Sequence, residues 1–218
     1  MRQKDFIIVL AWPEGMVTAS GAWYDKFLSK KGKYRVGHSA LILVNSRTRK
    51  LHYMDFGRYH TPFGFGRVRD AETDPDIGIP FLAEIQNGEI KNIESILKEA
   101  VYKKANHGEG ALYASVLSEV NFNSAFKYAK QQQEREAISY GPFILNGTNC
   151  SRFVASTIKK SNPGFIKKLR LKFQFCISPS PKRNVSICNR NFYIVEGSDC
   201  KKIKRNIIQG YLKSIERK

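Results

Sequence analysis

Two short segments of this 218-residue chain carry residue types suited to nucleophilic chemistry: Gly147-Thr-Asn-Cys150-Ser-Arg-Phe-Val154 and Gly37-His38-Ser-Ala-Leu41. Thr148 or Asn149 is a suitable N-cap, which puts Cys150 in the first turn of a helix running to about Lys160. Unpaired backbone N–H groups and the positive end of the helix dipole favour a thiolate there, and the same N–H groups can hold an oxyanion beside it. Phe153, Val154 and Ile158 would bury the helix and keep its tip rigid. His38 opens an apolar strand, where a side chain at the strand's end can reach a neighbouring helix terminus. A neutral imidazole at that place takes a thiol proton and later returns it to a leaving group. Either residue alone is more often a packed core residue than a catalyst; the two together point to a thiol nucleophile with its base.

The elements that must position this pair are an α+β set. Phe6–Trp12 is a seven-residue apolar run that reads as a buried strand, closed by Pro13-Glu14-Gly15. Ser20 to Leu28 reads as a short helix with Trp23 and Phe27 on one face. Tyr34 to Val44 and Leu51 to Phe56 flank the polar turn Asn45 to Arg49, giving a hairpin over residues 34–57. Phe81 onward, with its Asn87-Gly88 turn, reads as a further strand or hairpin. Helices are expected over 92–106 and 122–138, the latter from Phe122, Ala125, Phe126 and Ala129 at helical spacing, with a strand at 110–117 between them. Residues 57–80, with four Gly and three Pro, form a lid-like loop, since loops of this length are usually functional or disordered. The tail over 165–218 mixes strand-like runs (169–177 and 191–195) with basic clusters. Phe173, Phe175, Phe192, Tyr193 and Ile194 are available to bury, so it reads as a basic extension of one domain spanning 1–218.

Gly-His-Ser-Ala-Leu followed by a hairpin and Tyr53-Met-Asp-Phe-Gly57, then a downstream Asn-Cys-Ser-x-Phe-Val, resembles the circularly permuted papain-like (NlpC-type) cysteine hydrolases, the branch of YiiX-like enzymes and lecithin:retinol acyltransferase relatives. The resemblance covers about residues 34–57 and 140–160, and His precedes Cys here as in the permuted branch. It implies an antiparallel sheet packed against the helix headed by Cys150, and a Cys150 thioester formed on an amide, isopeptide or ester bond of a peptide- or lipid-like acyl substrate. It also implies a third polar residue on the next strand that orients His38. His52 is the first candidate and Asp55 the second; by period-two alternation they occupy opposite faces, so one of them serves. Asn149 and Tyr140 flank the implied pocket as hydrogen-bond donors or acceptors, with an N-cap and a turn anchor as their structural alternatives. In the lid-like loop, Arg67 and Arg69 are placed to grip an anionic substrate. Asp70, Asp74 and Asp76 lack the Gly and distal Glu of a calcium loop, so an internally salt-bridged loop is expected instead of a metal site. His60 and His107 read as loop residues.

Composition sets the remaining bounds. At 42% hydrophobic and 26% charged, the chain can build a core. Its longest apolar stretch is too short to cross a bilayer and lacks a signal-type cleavage site, which leads to the expectation of a cytoplasmic protein. Cys150, Cys176, Cys188 and Cys200 include no C-x-x-C pair, so neither zinc nor a disulfide framework is expected. No phosphate-cradling glycine motif occurs, and no cofactor is expected. The net charge is +18, and residues 151–218 hold 17 basic side chains against three acidic ones. That supports a rival reading: a non-catalytic module holding nucleic acid, or another polyanion such as a membrane surface, through its basic C-terminal region. Phe173, Phe175, Phe192 and Tyr193, interleaved with Lys172, Lys182, Arg183 and Arg190, would then stack on bases.

Overall fold

A strand that is apolar at every position can lie only where both of its faces are covered, and Phe6 to Trp12 occupies such a place: these residues are 0–1% exposed in the middle of an eight-stranded sheet. The computed structural model describes residues 4–19, 25–28, 31–35, 37–144, 146–172, 178–212 and 215. In chain order the elements are β1 (Asp5–Trp12), β2 (Met16–Thr18), α1 (Asp25–Leu28), β3 (Lys33–Arg35), β4 (His38–Val44), β5 (Leu51–Gly57), β6 (Phe65–Arg69), β7 (Ile85–Gln86), β8 (Glu89–Ile90), α2 (Ile93–Tyr102), β9 (Leu112–Val120), α3 (Phe122–Gln133), β10 (Ile138–Ser139), α4 (Cys150–Lys160), α5 (Phe165–Lys172), α6 (Pro181–Cys188), β11 (Phe192–Glu196), β12 (Asp199–Ile203) and α7 (Ile207–Leu212).

The sheet runs β10-β6-β5-β4-β1-β9-β11-β12, and every neighbouring pair in it is antiparallel. One face, carrying Ile7, Val9, Leu41, Leu43, Met54 and Phe56, packs against α3, α4 and α6. The other, carrying Phe6, Ile8, Leu10, Ile42 and Tyr53, packs against α2 and the segment around Ile77 and Ala83. The alternation along β1 therefore feeds two apolar layers, about what helices on both faces of a sheet require.

Several segments depart from the sequence expectations. The strand expected over 34–44 splits: β3 pairs with β2, and β4 begins afresh at His38. The break is Gly37, whose φ of +66° lies in the left-handed region and whose N–H donates to Gly15 O at 2.9 Å. The lid-like loop contains β6, paired to β5, and a 3-10 turn over Pro75–Ile77. The helix expected over 122–138 ends at Gln133, because Ile138 and Ser139 pair with Gly66 and Phe65 instead. Leu169 to Lys172, expected as strand, belong to α5, which draws Leu171 into the core; residues 173–177 lie outside the described residues. Trp23 of the expected 20–28 helix also lies outside them, and α1 supplies its last turn only. The C-terminal extension adds β11 to β9 and β12 to β11, so its aromatic Phe192 is a core residue.

A side chain at Gly37 has nowhere to go. A Cβ there would stand 2.2 Å from Trp12 O and 2.7 Å from Pro13 Cα, both backbone atoms. Gly37→Ala is expected to lower unfolding stability by more than the ~1–2 kcal/mol that left-handed backbone costs an L-residue. Chemical denaturation checks this.

Candidate active site

Asn149 adopts extended backbone (φ −141°, ψ 176°) and its Oδ1 accepts from Arg152 N at 2.9 Å, so Asn149 is the N-cap and Cys150 the first residue of α4. The backbone N–H groups of Cys150 and Ser151 thereby fall outside the helix ladder, at the positive end of the dipole. Phe153, Val154 and Ile158 are 0–1% exposed and anchor the helix to the sheet. This holds the tip of α4 at the start of β4, where the Ser39 backbone N–H donates to the Cys150 sulfur. Ser151 Oγ lies 3.9 Å from the same sulfur.

His38 is the first residue of β4, paired with Trp12 at the end of β1, and its ring stacks on the indole with centroids 5.9 Å apart. Its Nε2 lies 3.1 Å from Asp55 Oδ2. The ring also interacts with the Cys150 side chain by hydrogen bonding and charge. The register explains the pairing: Asp55 of β5 stands opposite Ala40 of β4, so His38, two residues along, is its diagonal neighbour on the same face.

Asp55 is fully buried, and its carboxylate is saturated with donors. Arg69, directly opposite it on β6, donates from Nε to Oδ1 at 3.0 Å and from Nη2 to Oδ2 at 2.7 Å. Tyr53 and Tyr59 hydroxyls donate to Oδ2 at 3.4 and 3.3 Å. The Arg69 guanidinium also lies 3.4 Å from the centre of the Tyr59 ring, and Tyr59 stacks on His107. The site is thus a relay from thiol to imidazole to carboxylate to guanidinium, each member fixed by the next.

The electrostatics follow. Burial opposes ionisation of Asp55, but its hydrogen bonds to His38 and Arg69 and their charges win, holding it at about 2. Burial likewise opposes a charged His38, yet the hydrogen bonds to Asp55 and Cys150 and their negative charge raise it to about 9. Burial raises the Cys150 thiol, and the hydrogen bond and charge of His38 together with the Ser39 N–H outweigh it, so the thiol is lowered. Each member of the pair thus favours the charged form of the other. Folding linkage has a definite sign for each group. The His38 contribution to stability is complete below its ordinary value of 6.5 and disappears as pH rises through about 9; that of Asp55 is present above 3.8 and disappears as pH falls through about 2.

A cleft of about 550 Å³ opens beside this relay, lined among others by His38, Tyr59, Tyr140, His107, Met16 and Phe63. Cys150 is 6% exposed. The imidazole and the tyrosines therefore face the cleft, and Cys150, which does not line it, is recessed.

The residues read from the sequence sort as follows. Cys150, His38 and Asp55 come together. His52 does not join them: on the opposite face of β5, its ring packs against Phe126 and Phe122 of α3 at 5.0 and 5.4 Å between centroids, and burial lowers its pKa. Tyr140 lines the cleft, stacked on Phe56. Asn149 is occupied by capping and by donating to Ser178 Oγ at 2.7 Å. The anion-gripping role expected of Arg67 and Arg69 is not what their contacts show. Arg69, 4% exposed in its side chain, clamps Asp55, while Arg67 makes a bidentate pair with Asp74 at 2.7 and 2.8 Å. Asp70 pairs with Lys130. Tyr53, Tyr59, Ser39 and His107 were not legible as site residues. A period-two reading of β6 against β5 was the available signal for Arg69; nothing in the residue pattern marks the other four.

Among the described residues, no helix is long and apolar enough to cross a membrane. No curated protein sequence matches the chain. The crystal structure of the type VI secretion system effector TseH is similar to it with a TM-score of 0.63, at 17% identity, over 94% of this chain and 100% of that one; at this identity the likeness is one of fold, an α+β arrangement of antiparallel sheet and helices. The family model described as type VI secretion system effector TseH-like matches residues 7–164, well over half of the chain, and the chain therefore belongs to the TseH-like family of type VI secretion system effectors.

Proposed function

We propose that the chain is a thiol-dependent hydrolase of permuted papain-like, NlpC-type fold, delivered as a secretion-system effector and acting on an amide, isopeptide or ester bond. The observation that carries this reading is the buried relay Cys150–His38–Asp55, with His38 Nε2 at 3.1 Å from a carboxylate that Arg69 holds in place. The Cys150 thiolate attacks the substrate carbonyl carbon, forming a C–S bond while the carbonyl electron pair moves to oxygen. The N–H groups at the tip of α4 stabilise that oxyanion. As it collapses, His38 gives its proton to the departing amine or alkoxide, leaving a thioester. Water then attacks the thioester, His38 takes its proton, and the acid leaves as the thiolate is restored. An amine or hydroxyl in place of water gives acyl transfer by the same steps.

The test is turnover of model peptide, isopeptide and ester substrates across pH, with mass spectrometry of the quenched enzyme. The expected result is an acyl adduct on Cys150 and a kcat/KM profile whose alkaline limb falls near pH 9, where the imidazolium acid is lost. Turnover that persists in Cys150→Ala, or an adduct on another residue, would contradict the proposal.

A further inference from the structure

The C-terminal helices present apolar side chains that the fold leaves in water. On α5, Phe165, Ile166 and Leu169 are 79%, 56% and 44% exposed; on α7, Ile207 and Ile208 are 64% and 67% exposed. The two helices flank one groove of about 920 Å³, lined by Phe165 and Ile166 on one side and Ile207 on the other, with Lys167, Arg170 and Arg190 beside them. Single exposed apolar side chains are ordinary; five on two helices that flank one groove are not.

Among the described residues, cations predominate at this edge. Four cations come from α5, one is Arg190, and Lys204 and Arg205 lead into α7; residues 162–172, 186–190 and 204–210 contain no Asp or Glu. The carboxylate that borders the groove, Glu119, is paired with Lys4.

We infer that the α5–α7 edge is a docking surface for an anionic phospholipid bilayer, with its aliphatic side chains entering the acyl boundary and its Lys and Arg meeting lipid phosphates. Four of the five apolar residues, Ile166, Leu169, Ile207 and Ile208, are aliphatic, and aliphatic groups do not stack on bases, which disfavours nucleic acid. Apolar projections flanked by cations on short helices are the pattern of interfacial binding, in which hydrophobic insertion and attraction to anionic headgroups add. The surface lies outside the catalytic cleft and shares none of its lining residues.

Co-sedimentation of the full chain with vesicles tests this. Vesicles of phosphatidylcholine containing phosphatidylglycerol are expected to bind the protein at low salt, and pure phosphatidylcholine vesicles to bind at least tenfold more weakly. The double variant Ile207→Ser, Ile208→Ser should lose about tenfold in binding to the anionic vesicles. Lys167→Gln with Lys168→Gln should also weaken binding and flatten its salt dependence. Ile207, Ile208 and Lys168 are exposed and Lys167 is half-buried, and unaltered alkylation of Cys150 verifies that the fold and the relay are intact. Equal binding to neutral and anionic vesicles, no binding to either, or retention on DNA or an acidic protein with vesicle binding unaffected by the isoleucine changes would each overturn the inference.

Discussion

Cys150→Ala is expected to reduce turnover by about four to six orders of magnitude while leaving the melting transition nearly in place. The sulfur is the atom that forms the thioester, so nothing else in the cleft can substitute for it. A small side chain at the first turn of α4 keeps the Asn149 cap and the packing of Phe153 and Val154. His38→Ala should cost a comparable amount, since without it the thiol loses both its proton acceptor and the charge that lowers its pKa. The double variant should be scarcely worse than either single one, because the two groups act as a unit. Steady-state kinetics on all three proteins, with thermal melts alongside, give the comparison. Additive losses would mean that the two residues act separately.

Asp55 has the second largest expected effect, and it divides into two parts. Asp55→Asn keeps the shape of the side chain but removes the charge shared by His38 and Arg69. Activity should fall by about 10²–10⁴-fold, as for loss of an orienting carboxylate, and the alkaline limb of the pH profile should move from about 9 toward 6.5 as His38 loses its partner. Stability should fall as well, by about 3–5 kcal/mol, because the Arg69 guanidinium is left buried with no counter-charge. The double variant Asp55→Leu, Arg69→Leu separates the parts: replacing both ions by apolar groups should recover much of the urea midpoint without recovering turnover. Recovery of activity in that double variant would show that the carboxylate matters to the fold alone.

The ends of the relay were readable from residue types because each sits at a marked boundary. Asn149 announces the start of α4, so Cys150 is located to the residue; the Gly37-His38 step announces the start of β4. Period-two alternation correctly separated His52 from Asp55 but could not choose between them, since register is a property of strand pairing. The choice follows from β1 and β4 being covered on both faces, which puts His52 against the aromatic side chains of α3 and Asp55 toward His38. Arg69 was misread for a physical reason. Among the Gly and Pro of the 57–80 segment it looks like a solvated loop cation, whereas pairing of β6 to β5 carries it inside as the partner of a buried carboxylate. The same non-local pairing ends α3 early at Gln133, where helix periodicity alone would continue it. The basic extension was misleading locally, because Lys and Arg between apolar residues fit an amphipathic helix and an edge strand equally well.

The most direct measurement is the rate of iodoacetamide labelling of each cysteine at about pH 6, followed by peptide mass spectrometry, in the wild type and in His38→Ala. An ordinary thiol is almost wholly protonated there and reacts slowly. Cys200 is more exposed than Cys150, and burial raises its pKa, so it controls for access; Cys188, which burial pushes up to about 12, controls for an inert core thiol. Cys150 should label at least tenfold faster than both in the wild type and lose that advantage in His38→Ala. Equal slow labelling of Cys150, Cys188 and Cys200, or a Cys150 rate unchanged by removal of the imidazole, would contradict a thiolate held by His38.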